Sequence, residues 1–92
     1  MKNFEEIIKS SEKVMIKFGA SWCGPCKIMD TRIDPLIKEG LNIHKVDVEE
    51  WISLGTKLAI RNLPTTIVFQ DGYAIDRFSG YATVDQLRNK LK

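Results

Sequence analysis

The stretch FGASWCGPCKIMD, residues Phe18–Asp30, holds both cysteines of the 92-residue chain. Cys23 and Cys26 are separated by one glycine and one proline. Two thiols at this spacing serve one of three purposes: a structural disulfide, half of a metal site, or a dithiol that makes and breaks a disulfide during a reaction. The rest of the sequence discriminates between these purposes.

A structural disulfide is disfavoured by its small stabilising effect, and a metal site is disfavoured by the lack of further Cys and His ligands. A disulfide across so short a loop stabilises a fold by only about 2 kcal/mol in the chain-entropy account, and structural disulfides are rare in reducing compartments. A structural zinc site usually takes four Cys or His ligands, whereas His44 is the one other such residue in the sequence. We therefore predict a redox-active dithiol in a protein that binds no metal.

The composition is typical of one globular domain covering residues 1–92. The chain is 43% hydrophobic and 28% charged, and its 14 basic and 12 acidic residues are interspersed. No basic cluster indicates nucleic-acid binding, no apolar run reaches the roughly 18 residues of a membrane span, and the N-terminus lacks the apolar segment of a signal peptide. We expect a cytoplasmic monomer that binds neither nucleic acid nor membrane, although a chain trimmed after export would read the same.

The apolar pattern predicts four strands. The first two are runs rich in β-forming residues joined through a helix, which makes them parallel with a right-handed crossover. The last two flank Asp71-Gly72, a dipeptide typical of β-hairpins. In chain order the strands lie at 14–18, 41–48, 65–70 and 73–78.

Helical spacing of apolar residues predicts four helices, and the overall order is αβα, βα, ββα. Asn3 and Thr83 are capping residues, each followed three positions later by the Glu or Gln of a capping box. The second helix begins close to Cys23, and Pro35 should kink it or end it early. The inward faces are Phe4, Ile7 and Ile8; Met29, Ile33 and Leu36; Trp51, Leu54 and Leu58; and Val84, Leu87 and Leu91.

The dithiol lies where disulfide exchange is favoured. A cysteine in the first turn of a helix faces free backbone N–H groups and the positive end of the helix dipole, which stabilise its thiolate. Cys23 is predicted to be the exposed nucleophile, and Cys26, one turn later, the resolving thiol that expels a bound partner. Gly24 leaves the approach open, and Pro25 suits a first helical turn. Trp22 is predicted to shield the dithiol or contact substrate in addition to packing.

The segment WCGPCK at 22–27, following an apolar strand, resembles the active site of the thioredoxin family. LPT at 63–65 resembles the family's cis-proline loop, and FQDGYAIDRFSGY at 69–81 resembles its final hairpin with the glycine that follows, Gly80. The resemblance covers nearly the whole chain. It implies a thioredoxin-like α/β fold with a four-stranded mixed sheet and helices on both faces. We expect the family's usual extra N-terminal strand to be missing from this sheet, which makes the second predicted strand an edge.

The resemblance also implies a thiol–disulfide oxidoreductase that reduces protein disulfides through a Cys23/Cys26 cycle. An extended client segment would be contacted by Trp22, Leu63, cis Pro64 and Gly80. A thioredoxin reductase carrying flavin and NADPH would return the electrons, so the resemblance implies that this chain itself needs no cofactor. Two other classes stay open: a thioredoxin-like binding subunit of a larger assembly, and a glutaredoxin-like protein reduced by glutathione.

Two positions near the dithiol depart from the family pattern. Gly19 stands where a tryptophan is common, and Lys17 stands where the family has a buried acid held to help deprotonate the second cysteine. Strand alternation puts Lys17 on the sheet face under the dithiol, while Lys45 and Asp47 share a face of the neighbouring strand. We expect that Lys17 either reaches water or Asp47, or tunes thiol ionisation together with Lys45 and Asp47.

Overall fold

The computed structural model describes residues 3–92, and this part of the chain contains four helices and four strands in the predicted order. The helices are α1 (Phe4–Ile8), α2 (Gly24–Lys38), α3 (Ile52–Lys57) and α4 (Val84–Lys90). The strands are β1 (Val14–Gly19), β2 (Ile43–Asp47), β3 (Thr65–Gln70) and β4 (Tyr73–Ser79). The largest boundary difference is in β2, which is shorter at both ends than the predicted segment 41–48.

The four strands form one mixed sheet in the order β2-β1-β3-β4. β1 runs parallel to β2 and antiparallel to β3, and β3 pairs with β4 as an antiparallel hairpin. β2 is therefore an edge strand, as predicted. His44 and Lys45 lie at its partly or fully exposed positions, where polar and charged side chains discourage pairing with another strand.

Helices cover both faces of the sheet, so the sheet is buried between two apolar layers. One layer, on the side of α2 and α4, includes the buried residues Met15, Met29, Ile33, Leu36, Ile43, Val68, Ala82 and Leu87. The other, on the side of α1 and α3, includes Val14, Ile16, Phe18, Val46, Ile67 and Phe69. Because side chains alternate along β1, Lys17 shares the α2 side with Met15.

Pro35 does not end α2, which continues to Lys38. The expectation of an early end was wrong because tertiary packing outweighs the local effect of proline. Pro35 is exposed, as is Thr31, whose carbonyl lacks the hydrogen bond that an N–H at position 35 would donate. The buried side chains of Met29, Ile33 and Leu36 hold the other face of α2 on the sheet.

The predicted capping box is complete at α4, whereas at α1 one of its two hydrogen bonds is present. At α4 the Thr83 side chain accepts the Gln86 N–H at 3.1 Å, and the Gln86 side chain accepts the Thr83 N–H at 2.8 Å. At α1 the Asn3 side chain accepts the Glu6 N–H at 3.2 Å, which is one of the two bonds of a capping box.

The hairpin turn at Asp71-Gly72 has the predicted geometry. Both residues have positive φ, +54° and +85°, as a type I′ turn requires. The Asp71 and Gly72 N–H groups donate to the carbonyls of Ser10 and Ile8 at 2.8 and 2.9 Å. The turn is thus fixed to the chain just after α1.

Replacing Gly72 with alanine will lower the free energy of unfolding by about 1 kcal/mol, because an L-residue is strained at positive φ. A β-carbon at this position would lie 3.8 Å from the Lys9 Cγ, which is an ordinary contact. The loss of stability therefore reports the strain of the backbone at positive φ alone. Denaturant unfolding measures it. Gly24→Ala is the control, since open space surrounds Gly24 at the first helical position, and it should not lower stability. Equal unfolding curves for Gly72→Ala and the unchanged protein would contradict this reading of the turn.

Residues 3–92 hold neither a cluster of metal-ligating side chains nor a helix suited to span a bilayer. No group of three His, Cys, Asp or Glu side chains in this range is arranged to hold a metal ion. None of the helices formed by these residues combines the length and apolarity needed to cross a bilayer.

Candidate active site

The two cysteines are joined by a disulfide at the start of α2. Cys23 is the N-cap residue of this helix, with extended backbone angles, and its Sγ accepts the Cys26 N–H at 3.2 Å. Pro25 occupies the first turn, as predicted. The Cys23 sulfur therefore lies at the positive end of α2, where backbone N–H groups and the helix dipole stabilise a thiolate.

Cys23 is less exposed than the sequence indicated. In the disulfide form it is 5% exposed and Cys26 is 1% exposed, because Ala20, Val48 and Leu63 pack against the pair. The prediction of an openly exposed nucleophile was therefore wrong for this form. Cys23 is nevertheless the cysteine that lines a surface groove.

This groove separates the start of α2 from the loop before β3. Its lining includes Trp22, Cys23, Gly24 and Pro25 on one side and Ile60, Arg61, Asn62 and Leu63 on the other. Trp22 is 68% exposed, so the core does not account for this large apolar side chain. An exposed aromatic ring beside a reactive sulfur is suited to contact with a bound partner.

The loop before β3 brings Leu63 to the dithiol and holds Pro64 next to it in the chain. The Leu63–Pro64 peptide bond is cis, which agrees with the prediction, and Leu63 packs against the cysteines. The Gly80 N–H donates to the Pro64 carbonyl at 2.9 Å. This bond ties Gly80, which follows β4, to the loop whose Leu63 lines one edge of the groove.

Lys17 approaches the dithiol from the sheet below. It is 4% exposed, and its Nζ lies 2.6 Å from the Asp30 Oδ1. The contact is close but is not aligned as a hydrogen bond, and this buried oxygen accepts no hydrogen bond, so we describe the contact as an ion pair. The predicted pairing of Lys17 with Asp47 was wrong. The Asp47 carboxylate instead accepts the Glu49 N–H at 2.8 Å.

Asp30 is the site residue that sequence reasoning missed. It follows Cys26 by four positions, a spacing that places two residues on the same face of a helix. That spacing from Cys26 is the available signal in the sequence.

The missing side chain of Gly19 makes room for the charged end of Lys17. A β-carbon at Gly19 would lie 2.9 Å from the Lys17 Nζ and 3.1 Å from the Cys26 Sγ. The ammonium group and the sulfur therefore flank the same small space. Gly19 is thus the reason that a cation can lie this close to the resolving cysteine.

Lys45, another predicted tuning residue, is held away from the thiols. Its Nζ donates to the Asp34 Oδ1 at 2.6 Å, and both side chains are substantially exposed. The hydrogen bond to Asp34 raises the pKa of the Lys45 amine, the charges of Asp30 and Asp34 raise it further, and partial burial opposes them. Of the three predicted tuning residues, Lys17 is the one that lies beside Cys26.

Several relatives of known sequence match nearly all of this chain. Thioredoxin from Mycoplasmoides gallisepticum is 33% identical over 90 residues, which cover 96% of this chain and 90% of the relative. Thioredoxin from Staphylococcus haemolyticus is 36% identical over 92 residues, covering 97% and 88%. Chloroplastic thioredoxin Y1 from Arabidopsis thaliana is 35% identical over 94 residues, covering 98% and 55%. The chain thus spans about half the length of this last relative.

Solved structures and the family model agree with these relatives. Oxidised mitochondrial thioredoxin 3 from Saccharomyces cerevisiae has a TM-score of 0.80 at 31% identity, covering 96% of this chain and 84% of the other. A mutant thioredoxin from Halobacterium salinarum has a TM-score of 0.86 at 26% identity, covering 99% and 81%. The thioredoxin family model matches residues 1–92. From its first residue to its last, this chain belongs to the thioredoxin family.

Proposed function

We propose that the protein is a thiol–disulfide oxidoreductase that reduces disulfides of client proteins through Cys23 and Cys26. The observation that carries this proposal is the Cys23–Cys26 disulfide at the start of α2, with Cys23 lining a groove. Membership of the thioredoxin family supports it.

The cycle begins with the reduced protein. The Cys23 thiolate attacks one sulfur of a client disulfide, which breaks the client S–S bond, forms a mixed disulfide and releases the second client sulfur as a thiolate. Cys26 then loses its proton and attacks the Cys23 sulfur, expelling the remaining client sulfur. Two electrons pass from the cysteine pair to the client, and the Cys23–Cys26 disulfide results.

The groove and its edge provide the contacts for the client. An extended segment would lie across Trp22 and Leu63, with the backbone of Leu63 available for hydrogen bonds of the kind that strands exchange. Pro64 and Gly80, joined by their hydrogen bond, would hold this edge in place. The apolar lining favours burial of side chains that flank the client cysteine.

The oxidised protein needs an electron donor and a compartment in which its cysteines can be reduced again. A flavin- and NADPH-dependent thioredoxin reductase would reduce the disulfide again, so that the chain carries electrons between this enzyme and its clients. The cytoplasm suits this role because it keeps thiols reduced. The use of both cysteines of the chain in one motif supports this location.

A turnover assay tests the proposal. The intact chain will accelerate the reduction of insulin disulfides by dithiothreitol in proportion to its concentration, because Cys23 relays electrons faster than the small thiol does. A thioredoxin-like binding subunit would give the same rate as buffer, and that result would remove the proposal. Driving the assay with NADPH and a thioredoxin reductase, and separately with glutathione, separates this protein from a glutaredoxin-like one, and we expect faster turnover with the reductase.

A further inference from the structure

The exchange cycle by itself does not explain why a buried lysine lies beside the resolving cysteine. Removing a charge from water is costly unless the charge is paired. Asp30 pairs with Lys17, and its side chain is 30% exposed whereas that of Lys17 is 5% exposed. The pair is therefore oriented, with the carboxylate toward solvent and the ammonium toward Cys26.

We propose that Lys17 is the counter-ion of the Cys26 thiolate and that Asp30 is a positioning residue that holds the ammonium in place while the cysteines are oxidised. This inference rests on the proposed function and names residues that serve its second step. When Cys26 ionises, the ammonium lies between two anions, the Asp30 carboxylate and the new thiolate. The thiolate is thereby stabilised by a charge that water screens poorly.

The assigned step balances without a further reactant. The Cys26 thiol gives its proton to water, and its sulfur forms a bond to the Cys23 sulfur. The bond between Cys23 and the client sulfur breaks, and that sulfur leaves with the electron pair and takes up a proton from water. Lys17 acts as a fixed charge and transfers no proton.

Other charged groups on the surrounding elements are engaged elsewhere or face solvent. They include Lys27, Arg32, Asp34, Lys38, Lys45, Asp47, Glu49, Glu50 and Arg61. Lys45 and Asp34 bond each other at 2.6 Å, and Asp47 accepts a backbone N–H at 2.8 Å. Solvent screens the electrostatic effect of exposed charges. Lys17 and Asp30 are therefore the charged groups that act most strongly on Cys26.

Removing either charge of the pair should move the pKa of the Cys26 thiol in opposite directions. Lys17→Met leaves Asp30 as an uncompensated anion near the sulfur, which raises this pKa by about one unit or more. Asp30→Asn leaves the thiolate as the closest anion for Lys17, which lowers the pKa. A purely structural ion pair would shift neither titration.

The measurement uses Cys23→Ser as background, because Cys26 is then the one cysteine in the chain. Ultraviolet thiolate absorbance is recorded against pH for this protein and for the same protein carrying Lys17→Met or Asp30→Asn. The matched controls are Lys45→Met and Asp34→Asn, which break the neighbouring exposed pair and should give much smaller shifts. Unfolding curves identify any variant that does not fold, and Asp30→Asn still tests the proposal if Lys17→Met does not.

Opposite shifts for the two variants support the assignment. A titration that overlays the background for either folded variant overturns it. Shifts in the same direction also overturn it, because they show that the Asp30 carboxylate and the Cys26 thiolate do not compete for the Lys17 ammonium. The intact-cysteine Lys17→Met protein should still reduce insulin, only more slowly near neutral pH, so failure of this inference leaves the turnover assay of the intact chain unaffected.

Discussion

Replacing Cys23 with serine will reduce the rate of insulin disulfide reduction to that of dithiothreitol alone. A serine hydroxyl is not ionised near neutral pH and forms no disulfide, so the first step of the cycle has no nucleophile. Cys26 does not substitute for Cys23, because it is 1% exposed and does not line the groove. The turbidity of precipitating insulin chains gives the rate.

Two controls separate loss of chemistry from loss of fold. Cys23→Ala should give the same rate as Cys23→Ser, which shows that the missing sulfur is responsible. Thermal unfolding of both variants should match that of the reduced protein, since neither has the disulfide. A folded Cys23→Ser protein that keeps a substantial part of the catalysed rate would show that Cys26 can begin the reaction.

Replacing Cys26 with serine will produce the opposite phenotype, a long-lived covalent adduct with the client. Cys23 still attacks the client disulfide, but no second thiol is available to expel the client sulfur. Non-reducing electrophoresis and intact mass should show about one client per chain, joined through Cys23. Dithiothreitol should release the client.

The matched comparison is Cys23→Ser, in which Cys26 is the remaining thiol. Its adduct should form far more slowly, because the Cys26 sulfur is buried beneath the groove rather than within it. If the two single-cysteine proteins form adducts at equal rates, the assignment of nucleophile and resolving thiol is wrong.

Local rules predicted most of the fold. The Asp71-Gly72 turn and the Thr83 cap depend on residues that are close in sequence, so their patterns were sufficient. Pro35 does not end α2 early, because the effect of proline on a helix is local, whereas the buried face of α2 is held by the sheet. A pattern confined to one helix carries no measure of that packing.

The dithiol was likewise evident from the sequence, and its charged surroundings were not. Spacing and the Gly-Pro dipeptide identified Cys23 and Cys26. The Lys17–Asp30 pair joins a strand to a helix, and no single-element pattern reports a contact of that kind. The family's buried acid and this pair differ in arrangement: here β1 contributes the cation and α2 contributes the acid.

The exposure of Cys23 was also beyond sequence reasoning. Its place at the start of a helix was predicted correctly, but its burial depends on Val48 and Leu63, which come from other parts of the chain. The same contacts form the groove. The features that cover the disulfide are thus the features that we expect to receive a client.

The most direct test of the central claim is a single-turnover count of electrons. Fully reduced protein, freed of dithiothreitol, is mixed with excess oxidised insulin, and client thiols and the mass of the chain are measured. We expect two new client thiols per chain, a chain lighter by two hydrogen atoms, and a peptide map in which Cys23 is bonded to Cys26. A chain that keeps both thiols free while insulin stays oxidised would contradict the central claim.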